Sequence, residues 1–192
     1  MRLASILAVL VLVACASEAP APAAPPSKLV KTPAPPPNFA GADEEEAILR
    51  TVDSFLLAVG NHDTDAMKDL IVPEGTAFLQ RRTKTETKPV ARRANSEFLK
   101  PQPGADPFIE RYWSPVVQVR GDIAMVWAPY ELRDNGQVVH CGIDAFDMVK
   151  LDGKWRVGNL LSTMEPDACA ELAPPSVAAM RPKDGWKETP NQ

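Results

Sequence analysis

The first part of the predicted domain carries apolar residues at helical spacing. Residues 43–61 begin with acidic side chains, which favour a helix N-terminus, and continue with one apolar stripe: Ile48, Val52, Phe55, Leu56 and Val59. Shorter patterns predict a second helix over 64–71, a short strand over 76–83 and a third helix over 90–100. This part of the chain is therefore predicted to be mainly helical.

After residue 107 the apolar pattern changes to a period of two, which predicts four strands. They extend over 108–120, 122–133, 137–150 and 154–163, and turn sequences such as Asp134-Asn135-Gly136 separate them. Helices followed by a run of antiparallel strands are typical of an α+β domain. We predict one domain over residues 43–170, with N-terminal helices packed on a curved, mainly antiparallel sheet.

The order of these elements resembles the cone-shaped domains related to nuclear transport factor 2. The segments that carry the resemblance are 110–115, 128–130, 140–146 and 153–157, with Trp155 shortly after an Asp-Gly pair. They are similar to the bacterial SnoaL-like or lumazine-binding-like branch of that family. The resemblance implies the cone fold, and this fold holds isomerases, dehydratases, ligand binders and assembly domains alike.

The N-terminal sequence has the pattern of an exported lipoprotein. Residues 1–14 contain the basic Arg2 followed by an apolar run, which is too short to span a bilayer and is typical of a signal peptide. Leu12-Val13-Ala14-Cys15 resembles a bacterial lipobox, so we expect Cys15 to carry a lipid anchor. Cleavage after Ala16 is the alternative. Because Ala16 follows the cysteine, the resemblance implies a location in the cell envelope, at the outer membrane and facing the periplasm.

Proline-rich segments flank the predicted domain. Residues 15–42 form a semi-rigid tether by composition, and residues 171–192 are predicted to be loosely ordered. With Cys15 lipidated, Cys141 and Cys169 remain as an even pair in an oxidising compartment. We predict a disulfide between them, and two buried free thiols are the alternative.

Composition and motifs narrow the function classes. The chain has 192 residues, 45% of them apolar and 24% charged, with a formal net charge of -4. It is apolar enough for a core, and it lacks the positive charge typical of nucleic-acid binders, so no nucleic-acid partner is expected. Only two histidines occur, without a metal-ligand spacing, and phosphate-loop and nucleophile motifs are missing. We therefore predict no metal and no cofactor.

Strand alternation brings polar side chains to one face of the cone. On the strand over 137–150, His140 and Asp144 share a face, although roughly 13 Å of strand rise separates them. They could line one cavity without contacting each other directly. The predicted pocket residues are aromatic or polar: Trp113, Trp127, Tyr130, His140, Asp144 and Phe146.

Two kinds of function remain open from the sequence. The favoured one is non-catalytic, either binding of a small apolar ligand or an interaction module of the envelope, and the resemblance adds a homodimer as a further partner. The alternative is an isomerase or dehydratase in which burial raises the pKa of Asp144 so that it serves as a general base. No complete catalytic motif of the family matches this sequence.

Overall fold

The computed structural model describes residues 41–176 and 179–181. The predicted signal peptide, Cys15 and the tether up to residue 40 lie outside the described residues, as do residues 182–192. In chain order the elements are α1 (Ala42–Gly60), α2 (Thr64–Met67), β1 (Thr76–Arg81), β2 (Ala91–Ala94), a 3-10 turn (Asn95–Glu97), β3 (Phe108–Tyr112), β4 (Val116–Arg120), β5 (Ile123–Asp134), β6 (Gln137–Leu151), β7 (Lys154–Met164) and α3 (Cys169–Leu172).

One curved sheet joins these seven strands and confirms the predicted α+β cone. The strand order is β2-β1-β7-β6-β5-β3, and β4 pairs with the other half of β5. Every described pairing between neighbouring strands is antiparallel except that of β1 with β7, which is parallel. The long strands β5 and β6 form the centre, and register shifts at Leu132/Arg133 and Asp147/Met148 mark the irregularities typical of a bending sheet.

Helix α1 covers the inner face of the sheet with the predicted apolar stripe. Ile48, Val52 and Leu56 are buried there, and the Phe55 ring packs edge-on against the rings of Phe98 and Phe146. The first turn is tied to the sheet as well, because Glu44 accepts hydrogen bonds from side chains of β6 and β7. In the described part of the chain, no helix has the length and apolar character needed to cross a membrane.

The predicted helix over 90–100 is wrong. Residues 91–94 form β2, which pairs with β1 in a hairpin, and a 3-10 turn follows at Asn95–Glu97. The spacing of Val90, Ala94 and Phe98 suits a helix, but pairing with β1 satisfies the backbone groups of both strands. Phe98 still reaches the core, from the turn rather than from a helix.

Two other element boundaries differ from the sequence prediction. The second helix ends at Met67 instead of residue 71, and Ile71 forms an isolated bridge to Val157. The strand predicted over 108–120 is divided into β3 and β4 at Ser114, whose φ of 46° lies in the left-handed region. This break lets the two halves pair with different parts of β5.

The chain after β7 is held to the sheet at two places. A disulfide joins Cys141 on β6 to Cys169 on α3, which confirms the predicted pairing. Further on, Met180 is buried and the backbone of Arg181 pairs with that of Tyr112 on β3. The Arg181 guanidinium also donates to Asp53 Oδ2 on α1 at 2.8 Å. Part of the segment predicted to be loosely ordered is therefore packed against the domain.

Candidate functional site

A cavity of about 180 Å³ lies between α1 and the inner face of the sheet. Its walls are mostly apolar and include the rings of Phe55, Phe98 and Phe108. One side of it reaches the exposed Gln102, in the loop that leads to β3. An apolar protein cavity of about 150 Å³ is enough to hold benzene, so this space suits a ligand the size of a single ring.

Two acidic side chains from different strands meet in this cavity. Asp144 lies on β6 opposite the small Ala128 of β5 and opposite Ser162 of β7. Glu110 lies on β3, on the far side of β5. The carboxyl groups of Glu110 and Asp144 hydrogen-bond to each other, which requires a proton between them. The cavity therefore contains an acid pair, Glu110 and Asp144.

Burial controls the protonation of the acid pair. It raises the pKa of Asp144 to about 6, although the hydrogen bonds with Glu110 and Ser162 act in the opposite direction. It also raises the pKa of Glu110 well above its ordinary value, and the neighbouring Asp144 charge raises this pKa further. Two carboxylates in contact away from water repel each other strongly, so the pair retains a shared proton near neutral pH.

A chain of hydrogen bonds runs along the cavity from His140 towards Asp144. The Tyr130 hydroxyl donates to the Thr163 carbonyl at 2.8 Å, and it lies 3.1 Å from His140 Nε2 and 3.2 Å from Ser162 Oγ. Because Tyr130 has already donated its one proton, His140 Nε2 must be the donor to the Tyr130 oxygen. His140 and Asp144, which are too far apart for direct contact, are thus linked through Tyr130 and Ser162.

The polar chain is neutral at physiological pH. Burial lowers the pKa of His140, and the Arg81 charge lowers it further, so the imidazole carries no charge. Burial also raises the pKa of Tyr130, which keeps its proton. Gly142, between His140 and Asp144 on the same face, makes room for this arrangement. A Cβ at this position would collide with the Thr163 carbonyl and come within 2.8 Å of the Tyr130 ring.

No family model matches the sequence, and no curated protein matches it. A nuclear transport factor 2-like superfamily protein from Salmonella enterica serovar Typhimurium superposes with a TM-score of 0.50 at 17% identity, over 77% of this chain and 100% of that chain. A protein of unknown function with a cystatin-like fold, from Nostoc punctiforme, gives a TM-score of 0.50 at 12% identity, over 66% of this chain and 95% of that chain.

The domain has the nuclear transport factor 2-like (NTF2-like) fold. Identities this low establish the shared architecture, and they carry no information about ligand or reaction. The resemblance to the SnoaL-like or lumazine-binding-like branch stays a prediction from the sequence.

The NTF2-like fold places only part of the predicted pocket at the cavity. Tyr130, His140 and Asp144 line it. Trp127 does not, which corrects the prediction: on β5 the alternation that turns Tyr130 inward turns Trp127 outward, where its side chain is 48% exposed. Trp113 and Phe146 are buried but are not among the residues that line the cavity, and Phe146 packs against Phe55 instead.

Sequence reasoning missed Glu110, which is central to the site. It lies in the short strand Phe108–Tyr112, whose inward positions are otherwise the aromatic Phe108 and Tyr112. An acidic residue between two inward aromatic residues was a detectable signal for a buried carboxyl group. The pairing of Glu110 with Asp144 could not be detected from the sequence, because it depends on which strands are neighbours in the sheet.

The acid pair alone is a poor metal site. Over residues 41–176 and 179–181, no three or more His, Cys, Asp or Glu side chains are grouped so that they could hold a metal ion. His140 also lines the cavity, and its Nε2 is engaged with Tyr130. The chemistry that the site offers is hydrogen bonding, proton exchange within the acid pair and attraction of positive charge.

Proposed function

We propose that the NTF2-like domain is a ligand-binding module that holds a molecule about the size of one ring in the cavity under α1. The observation that carries the proposal is a largely apolar cavity with a few convergent polar groups, namely the acid pair, Tyr130 and His140. This combination is typical of small-molecule sites, in which apolar walls supply affinity and polar groups fix orientation. The small volume of the cavity restricts the size of the ligand more strongly than the lining residues restrict its chemical class.

Methionine methyl groups allow a direct test. Met67 and Met164 line the cavity, whereas Met125 lies on the opposite face of β5. With 13C-labelled methionine methyl groups, benzyl alcohol should shift the NMR signals of Met67 and Met164 in a saturable way and leave that of Met125 unchanged. If single-ring probes move all three signals equally or none of them, the cavity is not a binding site.

We also propose that the protein is exported and anchored by a lipid at Cys15, in the outer membrane and facing the periplasm. The lipobox-like sequence and the disulfide, which needs an oxidising compartment, support this location. The chain between Cys15 and α1 would then hold the domain away from the membrane. Cys15→Ser should release the protein from the membrane fraction into the periplasm, and continued membrane attachment of this variant would contradict the proposal.

A second candidate function is proton transfer by the acid pair. An ionised carboxylate beside a protonated carboxyl group provides a base and an acid within one cavity, as isomerisation next to a carbonyl requires. The elevated pKa of Asp144, about 6, favours this role. The test is deuterium exchange at the carbon next to the carbonyl of small ketones. Asp144→Asn should abolish exchange and the outer-face variant Asp147→Asn should not; equal rates in all three proteins would exclude this role.

We propose a second copy of the chain as the partner of the outer sheet face. One row across five strands consists of apolar side chains at paired positions: Phe78, Leu161, Ala145, Trp127 and Val116. The small Ala145 is central, with Leu161 and Trp127 one strand away on either side. A two-fold axis through Ala145 would place Leu161 of one copy against Trp127 of the other, so the row is suited to pairing with itself.

Sedimentation measurements test the dimer. Trp127→Glu should convert the dimer to a monomer, because it puts a charge against Leu161 of the second copy. Val90→Glu is the matched control, since Val90 is also an exposed apolar residue but lies in the loop between β1 and β2. A monomeric wild-type protein at all accessible concentrations would exclude the dimer.

A further inference from the structure

The acid pair faces the cavity, and no positively charged partner for it lies within the described part of the chain. Asp144 is 2% exposed, and its Oδ2 atom is buried without a hydrogen-bond donor from the described residues. Among the described ion pairs, none joins Glu110 or Asp144 to a lysine or arginine; the nearby Arg111 pairs with Glu131 instead. Buried acidic groups are normally paired with a cation, so the missing partner is the feature to explain.

Two arginines on this side of the domain, Arg93 and Arg81, interact with other groups. Arg93 reaches the cavity wall, but its guanidinium is 3.6 Å from Glu97 and lies over the Phe98 ring, 4.6 Å from the centroid. Arg81 acts on His140, whose pKa its charge lowers. Neither arginine forms an ion pair with Glu110 or Asp144, nor does any other described cation, so the open cavity leaves room for a cation from outside these residues.

The rest of the cavity suits an organic cation. Three phenylalanine rings, Phe55, Phe98 and Phe108, supply apolar walls, and aromatic faces also attract ammonium groups. The acid pair and the Ser162 hydroxyl provide oxygen acceptors at one end, which matches the three N–H donors of a primary ammonium. An anion would be repelled by the acid pair, and a metal ion would find no third His, Cys, Asp or Glu ligand among the described residues.

We infer that the ligand of this cavity is a small primary amine in its protonated form, with an apolar body about the size of one ring and its ammonium group against Glu110 and Asp144. This inference rests on the proposed binding function and names the chemical class of the ligand. The ammonium supplies the counter-charge that residues 41–176 and 179–181 do not.

The test compares three probes of equal size on the full-length protein by calorimetry: benzylamine, benzyl alcohol and benzoate. At pH 7.5 benzylamine should bind at least about tenfold more tightly than benzyl alcohol, because a charge-assisted hydrogen bond replaces a neutral one, and benzoate should bind most weakly. The double variant Glu110→Gln/Asp144→Asn should lose the preference for the amine and still bind benzyl alcohol. Asp147→Asn, which removes an exposed carboxylate from the outer face of β6, should behave like the wild type.

Proton release is a second readout that simple cavity filling would not produce. A bound ammonium favours the ionised form of the acid pair, so it should displace the shared proton. Heats of benzylamine binding should therefore vary with the ionisation enthalpy of the buffer, and those of benzyl alcohol should not. The charged and titratable groups that face the cavity are Glu110, Asp144, His140, Tyr130, His62 and Arg93.

The outcomes separate the two proposals. If benzyl alcohol binds as tightly as benzylamine, or if the double variant keeps the preference for the amine, the amine inference is overturned and the binding function stands. If none of the three probes binds the wild-type protein, both are overturned.

Discussion

The inner face of the sheet buries carboxyl groups, whereas the outer face exposes large apolar side chains. Asp144 is 2% exposed under α1, while Trp127 and Leu161 are each 48% exposed on the other side. In a domain that needed only stability we would expect the reverse, because apolar burial drives folding and buried charge opposes it. The comparison supports the two proposals together, a ligand under α1 on the inner face and a second copy of the chain on the outer face.

The inner face should dominate the stability of the domain. Phe146→Ala removes a fully buried ring that packs on Phe55, and it should lower the free energy of unfolding by about 3–5 kcal/mol. Trp127→Ala removes a larger but half-exposed side chain, and it should cost about 1 kcal/mol at protein concentrations that keep the chain monomeric. Urea unfolding measures both values. Equal losses would mean that the two faces do not differ in packing.

The disulfide fastens α3 to the outward-facing side of β6. Cys141 alternates with His140 and so points away from the cavity, towards Cys169 of α3. Closing a loop over a separation of 28 residues stabilises a protein by about 3–4 kcal/mol in the chain-entropy model. The double variant Cys141→Ser/Cys169→Ser should show this loss in chemical unfolding, and reduction of the wild type should reproduce it. A loss below about 1 kcal/mol would indicate that the segment after β7 is held by its other contacts.

The buried acid pair should give the domain an unusual dependence on pH. Burial raises the pKa of Asp144 from 3.8 to about 6, so the folded protein holds this proton more tightly than the unfolded chain does. The stabilising effect is complete below about pH 4 and is lost as the pH rises through about 6, a change of about 3 kcal/mol. Glu110, whose pKa is also raised, extends the loss to higher pH.

The variant Asp144→Asn isolates this effect. Its unfolding free energy should fall less than that of the wild type between pH 4 and pH 7, and carboxyl groups other than Glu110 cancel in the difference between the two proteins. Glu44, whose pKa is lowered by its hydrogen bonds with Lys150 and Trp155, acts in the opposite direction in both. Parallel pH profiles for the two proteins would contradict a buried, proton-sharing Asp144.

The smallest effect is expected at an outer position. Leu161→Thr keeps a residue with good strand propensity on the exposed apolar row, so the monomer should change by less than about 0.5 kcal/mol. If the row joins two copies, the melting temperature of the wild type should rise with protein concentration more steeply than that of the variant. Identical concentration dependence would count against the dimer.

Much of the fold and about half of the cavity site could be predicted from local patterns. The apolar stripe of α1, the change to strands after residue 107 and the common face of His140 and Asp144 all follow from periodicity within one element. The predicted helix over 90–100 shows where this reasoning fails. The backbone pairing of β2 with β1 outweighs the helical preference of a few suitably spaced apolar residues. No local sequence pattern encodes this pairing.

The sequence by itself determined on which side of its own strand each residue lies, and which two cysteines were available for a disulfide. Only the tertiary structure decided that Glu110 would meet Asp144, because this depends on β5 lying between β3 and β6 in a particular register. It likewise decided that Trp127 would face outward. Periodicity is a property of consecutive residues, whereas strand order and register are set by the packing of the whole domain, which no single segment contains.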